Sequence, residues 1–310
     1  MKPKIVVVGS SNTDMIVRAA RIPKPGETVL GGKFLMAAGG KGANQAVAAA
    51  RAGGDVTFIT RVGNDLFGRR VVQGFRRDDI NVEFIKSDPS AASGVALIIV
   101  DSLGENCIAV ASGANARLSP ADVRAAAKAI ASADILLMQL EVPLETVTLA
   151  AAIAAINGVR TILNPAPARV LPQALLKNVT FLTPNKSEAA LLARSAGGRR
   201  ADFRETADRL GRKVPSVIIT LGARGSYIHS SRDKGLVPAF KVKAVDTTAA
   251  GDVFNGCLAV SLAEGNSLPV AVRFASAGAA LSVTRLGAQP SAPSRPEIER
   301  FLRRVPGRRS

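Results

Sequence analysis

The chain has 310 residues, 47% of them hydrophobic and 21% charged, so it can bury a large core and is not read as disordered. Its 41 Lys and Arg against 24 Asp and Glu give a formal charge of +17, but the basic residues are scattered, as in Arg69-Arg70, Arg76-Arg77, Arg199-Arg200 and Arg303-Arg304. With aromatics at 4%, no Trp and one Tyr, a base-stacking surface is poorly supplied, and no nucleic-acid partner is expected.

The N-terminus, Met1-Lys-Pro-Lys-Ile-Val-Val-Val-Gly9, is too short in apolar residues for an export signal and reads as a buried first strand, Lys4 to Gly9. No apolar run approaches the roughly 18 residues of a membrane helix, so no membrane partner is expected. Met15 to Ala20 with Thr28 to Met36 read as hairpin-like strands around the turn Pro23-Lys-Pro-Gly-Glu27. A helix over Ala43 to Ala52 is stopped by Gly53-Gly54. A strand over Asp55 to Arg61 and a helix over Leu66 to Arg77 follow. Gly94 to Asp101 with Glu105 to Val110 form a second hairpin-like pair. Ser119-Pro120 caps a helix over Ala121 to Ala131. Next come a strand over Asp134 to Leu140, a helix over Leu144 to Ile156, and strands over Val159 to Leu163, Val179 to Leu182 and Val217 to Leu221. Further strands lie around Tyr227 and Leu236, and helices near 250–264, 268–283 and 295–303. The tail from Arg300 to Ser310 is basic and is expected to fray. This alternation predicts an α/β fold with a mostly parallel sheet covered on both faces.

Cys107 and Cys257 make no CxxC spacing, and without an export signal both are expected to be reduced in the cytoplasm. A single histidine, His229, argues against Ser-His-Asp catalysis and against multi-histidine metal sites. There is no GxxxxGK[ST] and no well-placed GxGxxG, so neither a P-loop nor a dinucleotide fingerprint is present.

Asp246-Thr-Thr-Ala-Ala-Gly-Asp252 carries the most chemistry. Small residues let backbone N–H groups approach a ligand, and the apolar helical segment after it aims a positive dipole end at the same place. A phosphate suits that position, and Asp252 beside it suits a base for an attacking hydroxyl. On its own, Asp252 also reads as a first-turn acid favourable to the helix dipole. The second distinctive stretch is Gly39-Gly-Lys-Gly-Ala-Asn44, at the start of a helix.

Together these two segments resemble the signature regions of the ribokinase (phosphofructokinase-B type) sugar-kinase family. Asn164-Pro-Ala-Pro-Ala168, Thr183-Pro-Asn-Lys-Ser-Glu188, Thr220-Leu-Gly-Ala-Arg-Gly225 and Gly287-Ala-Gln-Pro-Ser291 match as well, in the family's order, across nearly the whole chain. The resemblance implies one kinase domain over residues 1–310, a three-layer αβα body. A small β-sheet lid, from strands at about 12–36 and 94–110, would cover the sugar and often serves as a homodimer surface. It also implies an ATP-dependent transferase of carbohydrate metabolism that phosphorylates D-ribose at O5, using magnesium and activated by potassium.

The resemblance assigns residues one by one. Asn12, Thr13, Asp14, Gly40, Lys41, Gly42, Ala43, Asn44, Glu141 and Asp252 match sugar contacts, with Asp252 the catalytic base. Read alone, Ser11 to Asp14 is a turn, Gly40 to Asn44 a glycine-rich helix start, and Glu141 a solvated strand end. Asn185, Glu188, Thr220, Leu221, Gly222, Ala223, Arg224, Gly225, Gly251, Asp252 and Ser276 match nucleotide contacts. Asn185 and Glu188 also read as a capping box, and Thr220 to Gly225 as a hairpin turn. The N–H groups of Ala249, Ala250 and Gly251 match an anion hole. Asp246, Thr248, Ser282, Arg285, Gly287 and Ser291 match a potassium site. Val253 stands where relatives often carry Thr, and Ala250 where Gly is frequent; neither change removes a charge. Other sugar or nucleoside kinases of the family, for deoxyribose, fructose or adenosine, stay open as alternatives. So does a non-catalytic sugar-binding or nucleic-acid-binding regulator.

Overall fold

The computed structural model describes residues 2–194 and 202–305. Arg199, Arg200 and the last five residues of the basic tail lie outside the described residues. The chain opens with β1 (Lys4–Val8), β2 (Asn12–Arg18) and β3 (Lys33–Gly39), then α1 (Lys41–Arg51), β4 (Asp55–Gly63), α2 (Leu66–Arg77) and β5 (Ile85–Asp88). It continues through β6 (Gly94–Val100), β7 (Asn106–Ala111), α3 (Pro120–Ala125), α4 (Ala127–Ala131), β8 (Ile135–Met138), α5 (Leu144–Ile156), β9 (Arg160–Leu163), α6 (Gln173–Leu176) and β10 (Phe181–Leu182). The last part holds α7 (Lys186–Arg194), α8 (Phe203–Gly211), β11 (Ser216–Thr220), β12 (Ser226–Ser230), β13 (Lys234–Val237), α9 (Ala250–Ala263), α10 (Leu268–Ser282) and α11 (Arg295–Arg304).

Nine strands form one sheet in the order β13-β12-β11-β10-β9-β8-β1-β4-β5. Every pair from β11 to β5 is parallel, and the β11–β12 and β12–β13 pairs are antiparallel. Period-two alternation sends the apolar residues of each strand to two separate cores. Ile5, Val7, Ile135, Leu137 and Ile218 join a core with residues of α1, α2, α9, α10 and α11. Val6, Val8, Leu136, Met138, Val217 and Ile219 join the core under α3 to α8. The result is the three-layer arrangement expected from the alternating pattern.

Ser119 caps α3 through a reciprocal pair with Asp122, and Pro120 follows in the first turn, as the sequence predicts. That helix breaks at Ala126 into α3 and α4. The fold also contains β5, α6 and α8, which are not among the elements predicted from the sequence.

A second sheet of four strands, β3-β2-β6-β7, stands apart from the nine. Both hairpin-like pairs are antiparallel, and β2 joins β6 in parallel. The first pair differs from the sequence expectation. Residues 28–32 make no strand, and β3 starts only at Lys33 and runs on to Gly39. Gly31 and Gly32 hold positive φ of 89° and 115°, a conformation that cannot continue a ladder. The shift carries Asn12 to Asp14 into β2, directly beside the start of α1.

Helices α1 and α9 approach closely at Gly256. A Cβ there would lie 2.7 Å from the Ala48 Cβ and 2.8 Å from the Ala49 backbone nitrogen. This contact matters beyond packing, because α1 carries Lys41, Asn44 and Gln45 and α9 carries Asp252.

Candidate active site

The parallel strands end at one rim of the sheet, where ligands of such sheets tend to bind. The segments that leave β1, β8, β9, β10 and β11 bring Ser10 to Asp14, Gln139 to Glu141, Asn164, Thr183 to Asn185, and Thr220 to that rim. The starts of α1 and α9 complete it. Gly40 precedes α1 with φ of 87°, and a Cβ there would meet the Asn12 nitrogen at 2.7 Å, so only glycine fits.

Helix α9 begins at Ala250, as the sequence predicts, so Asp252 sits in its first turn. Ala249 precedes it in the left-handed region, φ 58°, one of two non-glycine residues so placed among those described. The first α-type bond is Val253 N–H to Ala249 O at 2.9 Å. The N–H groups of Gly251 and Asp252 find no backbone acceptor among the described residues, the usual condition of a helix start. Orphan donors with the helix dipole behind them form an anion site.

Asp252 is 6% exposed. Asn44 Nδ2 donates to its Oδ2 at 3.0 Å, and Gln45 Nε2 to its Oδ1 at 2.9 Å. Burial pushes its pKa up, and Glu141 adds to the rise, while Lys41, Gln45 and Asn44 pull it down; the net direction is upward. Lys41 is buried against its charge, but Asp252, Glu141 and Glu188 outweigh that, and its pKa is raised. Asp14 is pushed up to about 6, first by burial and then by Glu141 and Asp252. Burial also raises Glu188, with Asp252 adding to it, against the Asn185 N–H and Lys41. One lysine thus sits among four carboxylates on one side of a cleft.

Other predicted sugar contacts are held in fixed orientations. Asn115 Nδ2 donates to Asn12 Oδ1 at 2.7 Å, which leaves the Asn12 amide N–H groups to donate elsewhere. Glu141 Oε2 accepts from Ser10 Oγ at 2.6 Å and from the Lys41 backbone at 3.0 Å. Asn44 Oδ1 is buried with no partner, an acceptor ready for a hydroxyl. Three assigned positions offer less. Thr13 faces the other side of β2 from Asp14. The Ala43 amide is taken by Ser10 O at 2.8 Å, and the Gly42 amide points at Ser10 Oγ at 3.4 Å.

Two cavities meet at the start of α9. A polar one of about 200 Å³ is lined by Lys41, Asn164, Asn185, Glu188, Asp252 and Asn255, among others. A larger one of about 460 Å³ has mostly apolar walls, including Phe240, Val242, Phe254, Ala279 and Val283. They share Thr220, Thr247, Ala250 and Gly251. Gly222, Ala223, Gly225 and Ser276 line the larger cavity. Leu221 and Arg224 do not: Leu221 packs on the core under α3 to α8, and the Arg224 guanidinium lies 5.1 Å above the Phe203 ring. Asn185 and Glu188 form the capping box and also line the polar cavity. Asn185 N–H donates to Glu188 Oε2 at 2.8 Å, and Glu188 N–H to Asn185 Oδ1 at 2.9 Å.

Behind α9, Thr248 N–H donates to Asp246 Oδ1 at 2.9 Å and Gly287 N–H to its Oδ2 at 2.8 Å. Burial opposes the Asp246 charge, but the donors of Thr248 and Gly287 prevail, with Arg18 adding to them, and its pKa is lowered. Arg285 N–H bonds Ser282 O at 3.0 Å, and Ser291 Oγ donates to Ala288 O at 2.7 Å. The direct bonds join Asp246 to Thr248 and Gly287; Ser282 and Arg285 share a turn of their own.

Sequence reading missed Ser10, Gln45, Asn115, Gln139, Thr183 and Asn255 as parts of the site. Their signal was a polar residue inside or beside an apolar run, such as Gln45 within Ala43 to Ala52. Without the third dimension such residues look like solvated positions.

A family model for pfkB family carbohydrate kinases matches residues 2–295. The chain is 43% identical over 306 residues to a ribokinase of Haemophilus influenzae, covering 97% of this chain and 99% of that protein. It superimposes on the crystal structure of a ribokinase from Thermotoga maritima with a TM-score of 0.90 at 39% identity, covering 97% of this chain and 99% of that one. It superimposes on an Arabidopsis thaliana ribokinase complexed with ribose and ATP with a TM-score of 0.88 at 31% identity, covering 97% and 99%. Continuous over almost the whole chain, this likeness and the carboxylate at the start of α9 have one reading: the chain belongs to the pfkB family of carbohydrate kinases.

Proposed function

We propose that this protein transfers the γ-phosphoryl group of ATP to O5 of D-ribose. The observation that carries the reading is the meeting of two unlike cavities at the start of α9, with Asp252 at the junction. The apolar cavity suits a purine base and ribose. The polar cavity suits phosphates, and Lys41 and Asp252 on its wall join it to the other residues assigned to the sugar. Relatives that bear the ribokinase name over nearly their full length support the same substrate pair.

Asp252 orients the acceptor hydroxyl and takes its proton as the bond to phosphorus forms. Its raised pKa brings it closer to the range useful to a general base, and the Asn44 and Gln45 donors favour its charged form. The orphan amides at the start of α9 and the Lys41 ammonium neutralise charge that builds on the transferring group. Asn12, Asp14, Lys41, Asn44 and Glu141 hold the sugar hydroxyls, with Gly40 shaping the turn. Thr220, Gly222, Ala223, Gly225 and Ser276 hold the nucleoside.

The donors present fit magnesium as a companion of ATP. Asn185 and Glu188 supply oxygen at the rim, and magnesium needs only one or two carboxylates besides phosphate and water. When bound, it would neutralise phosphate charge. The Asp246 loop fits a monovalent ion. Its single anionic carboxylate accepts from the Thr248 and Gly287 amides, and the family pattern, not a direct bond, adds the Ser282, Arg285 and Ser291 oxygens to the proposed set. Potassium there would stiffen the loop that carries the anion site.

The small sheet is the lid and the dimer surface of the proposal. Cross-strand register puts Asp14, Ile16, Leu35, Ile98, Ile108 and Val110 on its site-facing side. The other side carries Met15, Val17, Phe34, Met36, Leu97 and Ile99. Phe34 is 61% exposed and Leu97 55%. A sheet that is apolar on both faces suits a second copy of the chain on the outer one. The cytoplasm is the proposed location, with both cysteines as free thiols.

ATP turnover with D-ribose, magnesium and potassium, read as ADP release, is expected to exceed that with 2-deoxyribose, fructose or adenosine. Preference for one of those would replace the substrate and keep the site. Asp252→Ala is expected to lower turnover on the order of 10³-fold with an unchanged circular-dichroism spectrum; a tenfold loss or less would remove the base assignment. Replacing potassium by sodium at equal ionic strength is expected to lower the rate several-fold, and equal rates would dismiss the cation site.

Asp14 gives a pH prediction. Its folded pKa of about 6 lies above the ordinary 3.8 of the unfolded chain, so its charge destabilises the fold above pH 6 and the cost vanishes as pH falls through that window. Asp14→Asn is therefore expected to raise Tm by a few degrees at pH 7.5 and to leave it unchanged near pH 3.8. The same variant should raise KM for ribose, and the wild-type KM should rise as pH drops below 6. A Tm difference independent of pH would refute the burial argument. For the outer lid face, sedimentation is expected to show a dimer that Phe34→Glu converts to a monomer; a monomeric parent protein would end that proposal.

A further inference from the structure

Asp252 is served by a second layer of side chains: Gln45 and Gln139, which line neither cavity, and Asn164, which borders the polar one. Gln45 and Gln139 are each fully buried, and Asn164 is 7% exposed. Burying side-chain amides is costly unless their hydrogen bonds are made, so the pattern of donors here is informative. It can be read in one direction from a backbone carbonyl. Thr183 O can only accept, and Asn164 Nδ2 donates to it at 2.9 Å. Asn164 Oδ1 therefore faces Gln45 and must accept, which it does from Gln45 Nε2 at 3.1 Å. That fixes Gln45 Oε1 on the opposite side, where Gln139 Nε2 donates to it at 2.6 Å. The remaining proton on Gln45 Nε2 goes to Asp252 Oδ1 at 2.9 Å. A flipped Gln45 would set oxygen against oxygen at both Asn164 and Asp252. Gly9 keeps room for this arrangement, since a Cβ there would collide with the Gln139 amide oxygen.

We propose that Gln45 is a positioning residue for phosphoryl transfer: held in one orientation by Asn164 and Gln139, its amide fixes the Asp252 carboxylate toward the cleft. This rests on the base assignment for Asp252 made above. Gln45 lies one position beyond Asn44 on α1 and reaches the carboxylate from behind, while Asn44 reaches it at the other oxygen. With both oxygens pinned, the carboxylate cannot rotate, and its remaining lone pairs face the polar cavity. Lys41, Glu141, Asp14 and Glu188 also act on Asp252 electrostatically. All four stay in place when the amide layer alone is altered.

The test compares the parent protein with Gln45→Met and Gln139→Met, which keep side-chain volume and remove the amide. The first reading is the Asp252 carboxyl titration, by carbon-13 NMR of aspartate-labelled protein, with Asp252→Asn for assignment. It needs no sugar. Loss of a donor to the charged form should move the titration of Gln45→Met up by about one pH unit. The second reading is the pH profile of kcat with ribose. Its acidic limb should move up with the titration, kcat at pH 7.5 should fall about tenfold, and KM for ribose should stay within about twofold. Gln139→Met leaves Gln45 and Asp252 untouched and should shift both readings in the same direction by less, which keeps the test alive if Gln45→Met does not fold. An unmoved titration in both variants, or an activity loss carried by KM alone, overturns the proposal. A parent protein inactive on every sugar, with the titration moved as expected, would instead sink the kinase reading and leave the carboxylate's second layer standing.

Discussion

A buried carboxylate at the first turn of a helix governs this fold's business end. Burial disfavours the charge of Asp252 and donors favour it, and each donor makes a demand on another element. Asn44 and Gln45 require α1 to run tightly against α9, which requires a residue without a side chain at Gly256. Lys41 requires α1 to start where β1 ends, which requires the positive φ of Gly40. Gln45 in turn requires Gln139 beyond β8 and Asn164 beyond β9. The central sheet can be understood as the frame that holds these strand ends in register.

Charge balance follows from the same constraint. Burial is the main cause of the upward displacement of Asp14, Glu188 and Asp252, and repulsion among the carboxylates around the one lysine adds to it. On the proposed function, polyol hydroxyls relieve it by donating hydrogen bonds to Asp14 and Glu141. The phosphates take the opposite end of the cleft, at the amides of α9. At that end Asp252 and Glu188 line the same polar cavity as the amides, so Lys41 and the N–H groups are needed to offset the phosphate charge.

The body of the fold was legible because its strands are continuous apolar runs and its helices have marked ends. Ser119-Pro120, Gly53-Gly54 and the repeated strand-helix order need only local chemistry to be read. The four-stranded lid was half legible. Its strands showed, but the start of β3 did not, because apolar residues on both faces of the sheet erase the alternation that sets register. Site residues with charge, such as Asp252, Lys41 and Glu188, stood out through the family motifs. Gln45, Gln139 and Asn115 did not, since a neutral amide in a helix or loop carries no local sign of being buried. Leu221 and Arg224 show the reverse: they belong to a legible turn, yet their side chains serve the core and the Phe203 ring.

On the proposed function, the small sheet ties the sugar site to the surface of the molecule. Asp14 and Ile16 sit on the same face of β2, so the strand that presents the carboxylate proposed to hold the sugar also presents apolar cover beside it. Its opposite face, with Met15 and Val17, is the one proposed to meet a second copy. Because successive residues of one strand alternate between the two tasks, neither face can shift register without moving the other. A partner that steadies the outer face would therefore also steady Asp14 over the cleft. Water exclusion, which a kinase needs to favour a sugar hydroxyl over hydrolysis, would then depend on a contact outside the site.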